Sequence, residues 1–417
     1  MNNLAENEVL PLIVSQLIAY GYSAVAKQVA DATGAETDMI PSTKLAEYLY
    51  YGKEQAEHEG SDSDFSDKES DDEPMKEDKQ EAEDLSDVDG LVFDPDNFPA
   101  SKPAPEYTQM YYTQHKGPCL TAVFSPDGKL AATGSHDASL KVLDVHKMKH
   151  RTGDVGDKPV IRTLYDHVAP VSDISFHPNG SVLASCSEDQ SIKLFDLSRH
   201  GVKRAFRYLK DAQAVNSISF HPSGDFILSG TTDANVRIYD VKTFQCYTNN
   251  TTNTHRGGIT QIRYSATGRL FASSSMDGSL RIWDGVNSQC VRAIERAHGG
   301  AIVSSVRITK NEKYILSAGA DSTLKMWEIA SGKMVMEYKG HQQRTLLLQP
   351  TMTYNEEYVM VGDEGSTDVV CWDTRTGVLL KRLPGQNNNV RCVVASPVDD
   401  AYLTCSDDYR ARYYVRV

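Results

Sequence analysis

The sequence has no run of apolar residues long enough to cross a bilayer, which takes about 18–20 residues as a helix. It has no Cys-x-x-Cys pair either. Its seven cysteines, Cys119, Cys186, Cys246, Cys290, Cys371, Cys392 and Cys405, never come closer than 13 residues to one another. That scatter excludes the common zinc frameworks. Each cysteine sits among β-forming neighbours, as a small apolar core residue does, and a reducing compartment fits. There is no GxSxG elbow, no phosphate-binding loop ending in Gly-Lys-Ser/Thr, no HExxH and no glycine-rich dinucleotide fingerprint. The expectation is a non-enzyme without cofactor, metal or small-molecule substrate. The N-terminal MNNLAENEVL carries acids where a secretory signal carries positive charge, so the chain is expected inside the cell.

The net charge of -14 is unevenly spread. Residues 53–98 hold 19 Asp and Glu against 4 Lys and Arg, whereas residues 99–417 carry a net charge of +5. The acidity belongs to one segment, and the remainder is mildly basic. An acidic average therefore does not exclude contact with RNA or an acidic partner.

A unit recurs seven times after residue 115. It runs from a His through an apolar strand, a turn, a second strand ending in small residues, an Asp and an alternating strand closing on aromatic-Asp. The units end at Asp144, Asp196, Asp240, Asp284, Glu328, Asp373 and Val415, with separations of 52, 44, 44, 44, 45 and 42 residues. A four-stranded blade of a WD40 propeller has a period of about 40–45 residues. The long first interval is assigned to a surface loop at 146–159. Alternation such as Ser279-Leu280-Arg281-Ile282-Trp283 is a strand pattern. The turns SPDGK (125–129), HPNGS (177–181) and HPSGD (221–225) supply the Pro and Gly a hairpin needs. The expected fold is all-β: a seven-bladed WD40 propeller over 106–417.

Three units show the full polar pattern, as His167/Asp189, His255/Asp277 and His298/Asp321, with Phe195, Trp283 and Trp327 six residues after each Asp. A buried Asp requires satisfied oxygens. Repetition once per blade identifies these pairs as a structural network rather than acid–base catalysts. Unit three lacks the His, unit six has Ser366 at the Asp position, and unit seven offers Asn387–Asn389 and Asp408. The last unit also lacks a fourth strand. Residues 106–113 (EYTQMYYT) are expected to supply it, closing the ring and protecting the sheet edges.

Residues 53–105 read as an acidic, disordered linker. In it Ser61, Ser66, Ser70 and Ser86 each have an acid three residues on, which suits an acid-directed kinase. Residues 1–52 have helical spacing, and Leu10, Ile13, Leu17, Tyr22 and Val25 are the expected contacts of a small helical homodimerisation domain. In the last unit Arg391, Arg410, Arg412 and Arg416 form a candidate partner-binding patch for an acidic segment or RNA phosphate.

Residues 12–29 resemble a LisH-type dimerisation motif. Several longer strings resemble one family: HKGPC (115–119), PVIRTLYDHV (159–168), KRAFRYL (203–209), SFHPSGDFIL (219–228), YDVKTFQC (239–246), IWDGV (282–286), NNVRC (388–392) and TCSDDYRARYY (404–414). They are similar to the WD-repeat subunits of the cleavage stimulation factor, a nuclear machinery for pre-mRNA 3'-end cleavage and polyadenylation. The resemblance implies a non-catalytic nuclear scaffold, homodimeric through its N-terminal helices. It also implies docking to the helical-repeat scaffold subunit, and indirect contact with an RRM-bearing subunit and pre-mRNA. The Ser/Asp-rich linker departs from that family. An alternative is a WD40 substrate receptor of a cullin-type ubiquitin ligase, because Trp372-Asp373-Thr374-Arg375 fits a WDxR signature.

Overall fold

A computed structural model of the chain describes residues 91–93, 100–150, 158–199, 201, 203–248 and 253–417. The helices expected over 1–52, the serines at 61, 66, 70 and 86, and most of the acidic segment lie outside them. Contacts divide the chain into Met1–Asp84 and Leu85–Val417, and the second unit holds every described residue.

Seven four-stranded antiparallel sheets make a seven-bladed β-propeller. Its 28 strands are numbered β1–β28 in chain order. Blade two shows the plan: β6 (Val171–Phe176), β7 (Val182–Ser187), β8 (Ser191–Asp196) and β9 (Arg207–Lys210) pair in sequence. The first strands of neighbouring blades pack on one another around the axis. The middle strands are mostly buried, so every blade is packed on both faces. This explains why small residues crowd β7, whose burial is nearly complete.

Polar side chains of the innermost strands stitch blade to blade. Asn216 Nδ2 donates to Ile259 O at 2.7 Å, Thr260 Oγ1 to Val303 O at 2.6 Å and Ser304 Oγ to Leu348 O at 2.8 Å. Each of these residues sits in a register shift of its strand. The bulge frees one residue from the ladder and turns it toward the next blade.

The seventh blade takes its outer strand from the start of the propeller. β1 (Tyr107–Gln114) lies outside β28 (Arg410–Arg416), paired from Tyr107↔Arg416 to Gln114↔Arg410 with a shift between Gln109 and Tyr111. The expected bounds of 106–113 differ by one residue at each end.

Two expectations are corrected. The interval at 146–159 is not all surface loop: α1 (Val145–Lys149) opens it, capped by Asp144, whose side chain accepts from Lys147 N at 3.1 Å. Met148 is fully buried in the core that joins the first and last blades. The expected linker over 53–105 also does not stay free to its end. Leu91 is buried between blades five and six, and Phe93 packs edge-on against Tyr314 with ring centroids 5.0 Å apart. Asn311 Nδ2 donates to Leu91 O at 2.7 Å, Lys102 N to Asp373 Oδ2 at 2.8 Å and Tyr358 OH to Pro103 O at 3.1 Å. Apolar Leu91, Val92 and Phe93 interrupt the acidic run, and packing of Leu91 and Phe93 fixes this strap.

Candidate functional site: the blade network and the interaction surface

Each blade's second hairpin turns on an acid that organises several elements. In blade two Asp189 Oδ2 lies 2.8 Å from His167 Nδ1, and its Oδ1 accepts from Ser191 N at 3.1 Å. His167 Nε2 lies 2.7 Å from Ser185 Oγ. Blade five repeats this with His298 and Asp321 at 2.9 Å and His298 and Ser317 at 2.8 Å. Blade four holds His255 and Asp277 more loosely, at 3.4 Å, with Ser273 Oγ 2.6 Å from His255 Nε2. Blade one adds His115, between Ser139 and Thr133, with Asp137 at 3.8 Å. In blades four and five Trp283 and Trp327 donate from Nε1 to the serine hydroxyl at 2.9 Å.

A hydroxyl, an imidazole and a carboxylate in line is also the order of a nucleophilic relay. Here Ser185, Ser273 and Ser317 are fully buried, so no substrate reaches the hydroxyl. Burial works to raise the Asp189 and Asp321 carboxyls, but the hydrogen bonds from His167 and His298 prevail and hold both well below the usual range. The network locks the turn. Ala138, Gln190, Ala234, Ser322 and Tyr409, each directly after its Asp, have φ of 63°, 62°, 65°, 62° and 71°. A residue with a Cβ resists that left-handed region by about 1–2 kcal/mol. The preceding carboxylate offsets this cost by binding the amide two residues on, as Asp408 does to Arg410 N at 3.0 Å.

The degenerate units solve the same problem differently. In blade three Asp211 stands in for the His: Arg237 Nη1 lies 3.0 Å from it, Arg237 Nη2 2.7 Å from Asp233, and Tyr239 OH donates to Asp211 at 2.7 Å. In blade six Asp363, not Ser366, holds the turn, accepting from Gln342 N at 2.7 Å and from Ser366 Oγ at 2.9 Å. In blade seven Gln386 takes the His place. Arg412 Nη1 donates to Gln386 Oε1 at 2.6 Å and its Nη2 to Asp408 Oδ2 at 2.5 Å.

Arg412 therefore corresponds to Arg237, and the four arginines do not form one outward patch. Arg412 is buried; Arg391 pairs with Asp407 at 2.8 Å and Arg416 with Asp400 at 3.0 Å; Arg410 lies over the Tyr112 ring. The alternation that puts Arg410 and Arg412 on one face does not reveal that this face meets Asp408. Of the tetrapeptide at 372–375, Trp372, Asp373 and Thr374 are buried and only Arg375 is exposed. Asp373 already holds Arg375 N at 2.9 Å and the strap at Lys102 N.

His341 has no hydrogen-bond partner on either ring nitrogen among the described residues, although Asp363, Asp321, Arg382 and His298 act on it. Burial depresses its pKa to about 4. The unfolded chain then binds the extra proton between about pH 6.5 and 4, so stability falls as pH falls through that window. His341→Leu is expected to flatten this limb by on the order of 3 kcal/mol. Urea unfolding of both proteins at pH 6.5 and 4.5 checks it, and an equal loss in the two rejects the assignment.

Blades three and four leave an open groove of about 440 Å³ at their junction, lined by His221, Phe226, Ile238, Tyr247, Tyr264 and Val286. Within it Tyr247 and Val286 are 50% and 91% exposed. No cluster of three or more His, Cys, Asp or Glu among the described residues is placed to hold a metal ion. No described helix is long and apolar enough to cross a membrane.

Fold and network together define a WD-repeat β-propeller, a class whose members generally serve as protein-interaction scaffolds. The family model of the WD domain, G-beta repeat, matches residues 106–144, 158–196, 206–240, 246–284 and 288–328. Blade six and the C-terminal strands of blade seven, where Asp363, Gln386 and Arg412 replace the usual pattern, lie beyond those matches. The chain is similar to cleavage stimulation factor subunit 50 of Arabidopsis thaliana, 41% identical over 117 residues, 28% of this chain and 27% of that protein. It is 31% identical over 91 residues to target of rapamycin complex subunit wat1 of Schizosaccharomyces pombe, covering 22% of this chain and 26% of that protein. COMPASS component SWD3 of Saccharomyces cerevisiae is 30% identical over 89 residues, covering 21% of this chain and 25% of that protein. Each alignment thus spans about a quarter of the relative's length.

Proposed function

We propose that this chain is the WD-repeat scaffold subunit of a nuclear cleavage stimulation factor, acting in assembly for pre-mRNA 3'-end cleavage and polyadenylation. The observation that carries the reading is the 117-residue stretch 41% identical to cleavage stimulation factor subunit 50. A propeller whose polar networks are used up inside the blades, with exposed Phe226, Tyr247 and Val286 lining an open groove, supports a protein-docking role over a catalytic one. In this reading the propeller docks the helical-repeat scaffold subunit. Residues 1–52 bring two copies together, with Leu10, Ile13, Leu17, Tyr22 and Val25 at the contact. RNA is reached through the RRM-bearing subunit.

The test is affinity purification of the tagged full chain beside a chain lacking residues 1–52. Both are expected to retain the helical-repeat and RRM subunits, and only the full chain to recover an untagged copy of itself. Recovery of cullin adaptors without either subunit would overturn the reading in favour of a ligase receptor.

A further inference from the structure

The innermost strands of blades four and five hold hydrogen-bond donors that nothing in the described protein accepts from. Ser217, Gln261 and Ser305 stand at matching positions in blades three, four and five, opposite Gly230, Ser274 and Ala318. The first two each accept an amide from the next blade: Ile262 N donates to Ser217 Oγ at 3.1 Å and Val306 N to Gln261 Oε1 at 2.9 Å. The next amide in the series belongs to position 350, which is proline and has no N–H. Ser305 Oγ is consequently buried without a partner, as is Gln261 Nε2.

Two residues further along the same strands stand Arg263 and Arg307, opposite Ala272 and Leu316. Arg263 is satisfied: it grips Asp173 with Nη1 at 2.6 Å and Nη2 at 3.1 Å. The Arg307 side chain makes no hydrogen bond or ion pair to any described residue, and its Nε is enclosed. The groups acting on it are Arg263, Cys392 and Asp173, so two guanidinium groups share one carboxylate already held by the first. Burial, then the Arg263 charge, pull its pKa down to about 10, still far above neutrality. An unpaired guanidinium enclosed at its Nε is costly, and it cannot escape by losing its proton.

We propose that Arg307, Gln261 and Ser305 form an oxyanion site on the inner strands of the propeller, taking a phosphate group. Every unused atom there can donate: the guanidinium, the Gln261 amide and the Ser305 hydroxyl. A phosphate oxygen accepts from all three, and its charge offsets the Arg307 excess. Arg307 as a whole keeps partial solvent contact, which leaves an approach for a small ligand. Free phosphate and a small phosphomonoester present the same group. A site built by the inner strands of two blades would stiffen the ring from its axis.

The experiment is thermal unfolding of the full chain with inorganic phosphate or glycerol 3-phosphate, each against chloride at matched ionic strength. The unfolding midpoint is expected to rise by about 2 °C at ten times the Kd. A rise with inorganic phosphate alone identifies the free ion as the ligand, and a rise with both admits the ester. Arg307→Gln is expected to abolish the rise while unfolding no earlier than the parent in chloride, since it removes an unpaired charge. Ser305→Ala, which removes a hydroxyl that bonds nothing, is expected to weaken phosphate binding about tenfold by titration calorimetry. No rise in the parent chain with either anion, the same rise in Arg307→Gln, or an unchanged Kd in Ser305→Ala overturns the site.

Discussion

A full chain from which Tyr107–Gln114 has been deleted is expected to lose roughly 4–10 kcal/mol, enough to abolish a single cooperative unfolding transition. β1 pairs seven of its residues with β28, and the junction continues past both ends of the ladder. His115 N donates to Tyr409 O at 2.8 Å and Val417 N to Glu106 O at 3.0 Å. Lys141 reaches from the first blade to Thr113 at 3.1 Å. One core holds Cys119, Phe124 and Met148 together with Leu403, Cys405 and Tyr413, and Tyr111 packs against it. Without β1, the outer edge of β28 is bare and the ring is joined only through its inner strands and the packing of α1 on the last blade. Urea unfolding followed by circular dichroism should show a shallow, early transition, and a synthetic 106–114 peptide should restore part of the midpoint. An unchanged midpoint would count against the closure having this weight.

Arg237→Ala is expected to cost about 3–5 kcal/mol, more than any single truncation of an exposed ion pair. The Asp211 side chain is fully enclosed, and Arg237 is 3.0 Å from it and 2.7 Å from Asp233. Removing the guanidinium leaves the enclosed Asp211 with only Tyr239 OH and backbone amides, while Asp233 keeps Thr231 Oγ1 and Asn235 Nδ2. Arg237→Lys should recover little, because one ammonium cannot bridge both carboxylates as the guanidinium fork does. The double change Asp211→Ala with Arg237→Ala should be less destabilised than Arg237→Ala alone, since it removes a buried charge with its partner. Urea midpoints for the three variants check this. A loss under about 1 kcal/mol in Arg237→Ala would place the pair among the weak surface bridges.

The repeat itself was open to reading. Strand alternation, turn residues and a 44-residue spacing are local, and a propeller repeats local information seven times. The missing strand of the seventh unit pointed to residues 106–113, because an edge left bare needs covering and the only β-forming run without a place stood there. The pairs His167/Asp189 and His298/Asp321 were visible for the same reason: each sits at fixed offsets within its own unit.

What the sequence determined by itself is whatever one unit carries within its own 44 residues: strand, turn, His and Asp, and hence blade and ring. What only the tertiary structure decided is where units depart from that pattern and lean on one another. Arg412 looked like one of four arginines in a surface patch and is a buried partner of Asp408 and Gln386. Leu91 and Phe93 looked like the tail of a linker and pack between blades five and six and on Tyr314. Pro350 leaves Ser305 without a donor 45 residues earlier in the chain. Periodicity reports which side of a strand a residue takes, but not what stands opposite. Burial and charge pairing are settled between blades, by groups the chain brings together only when the ring closes.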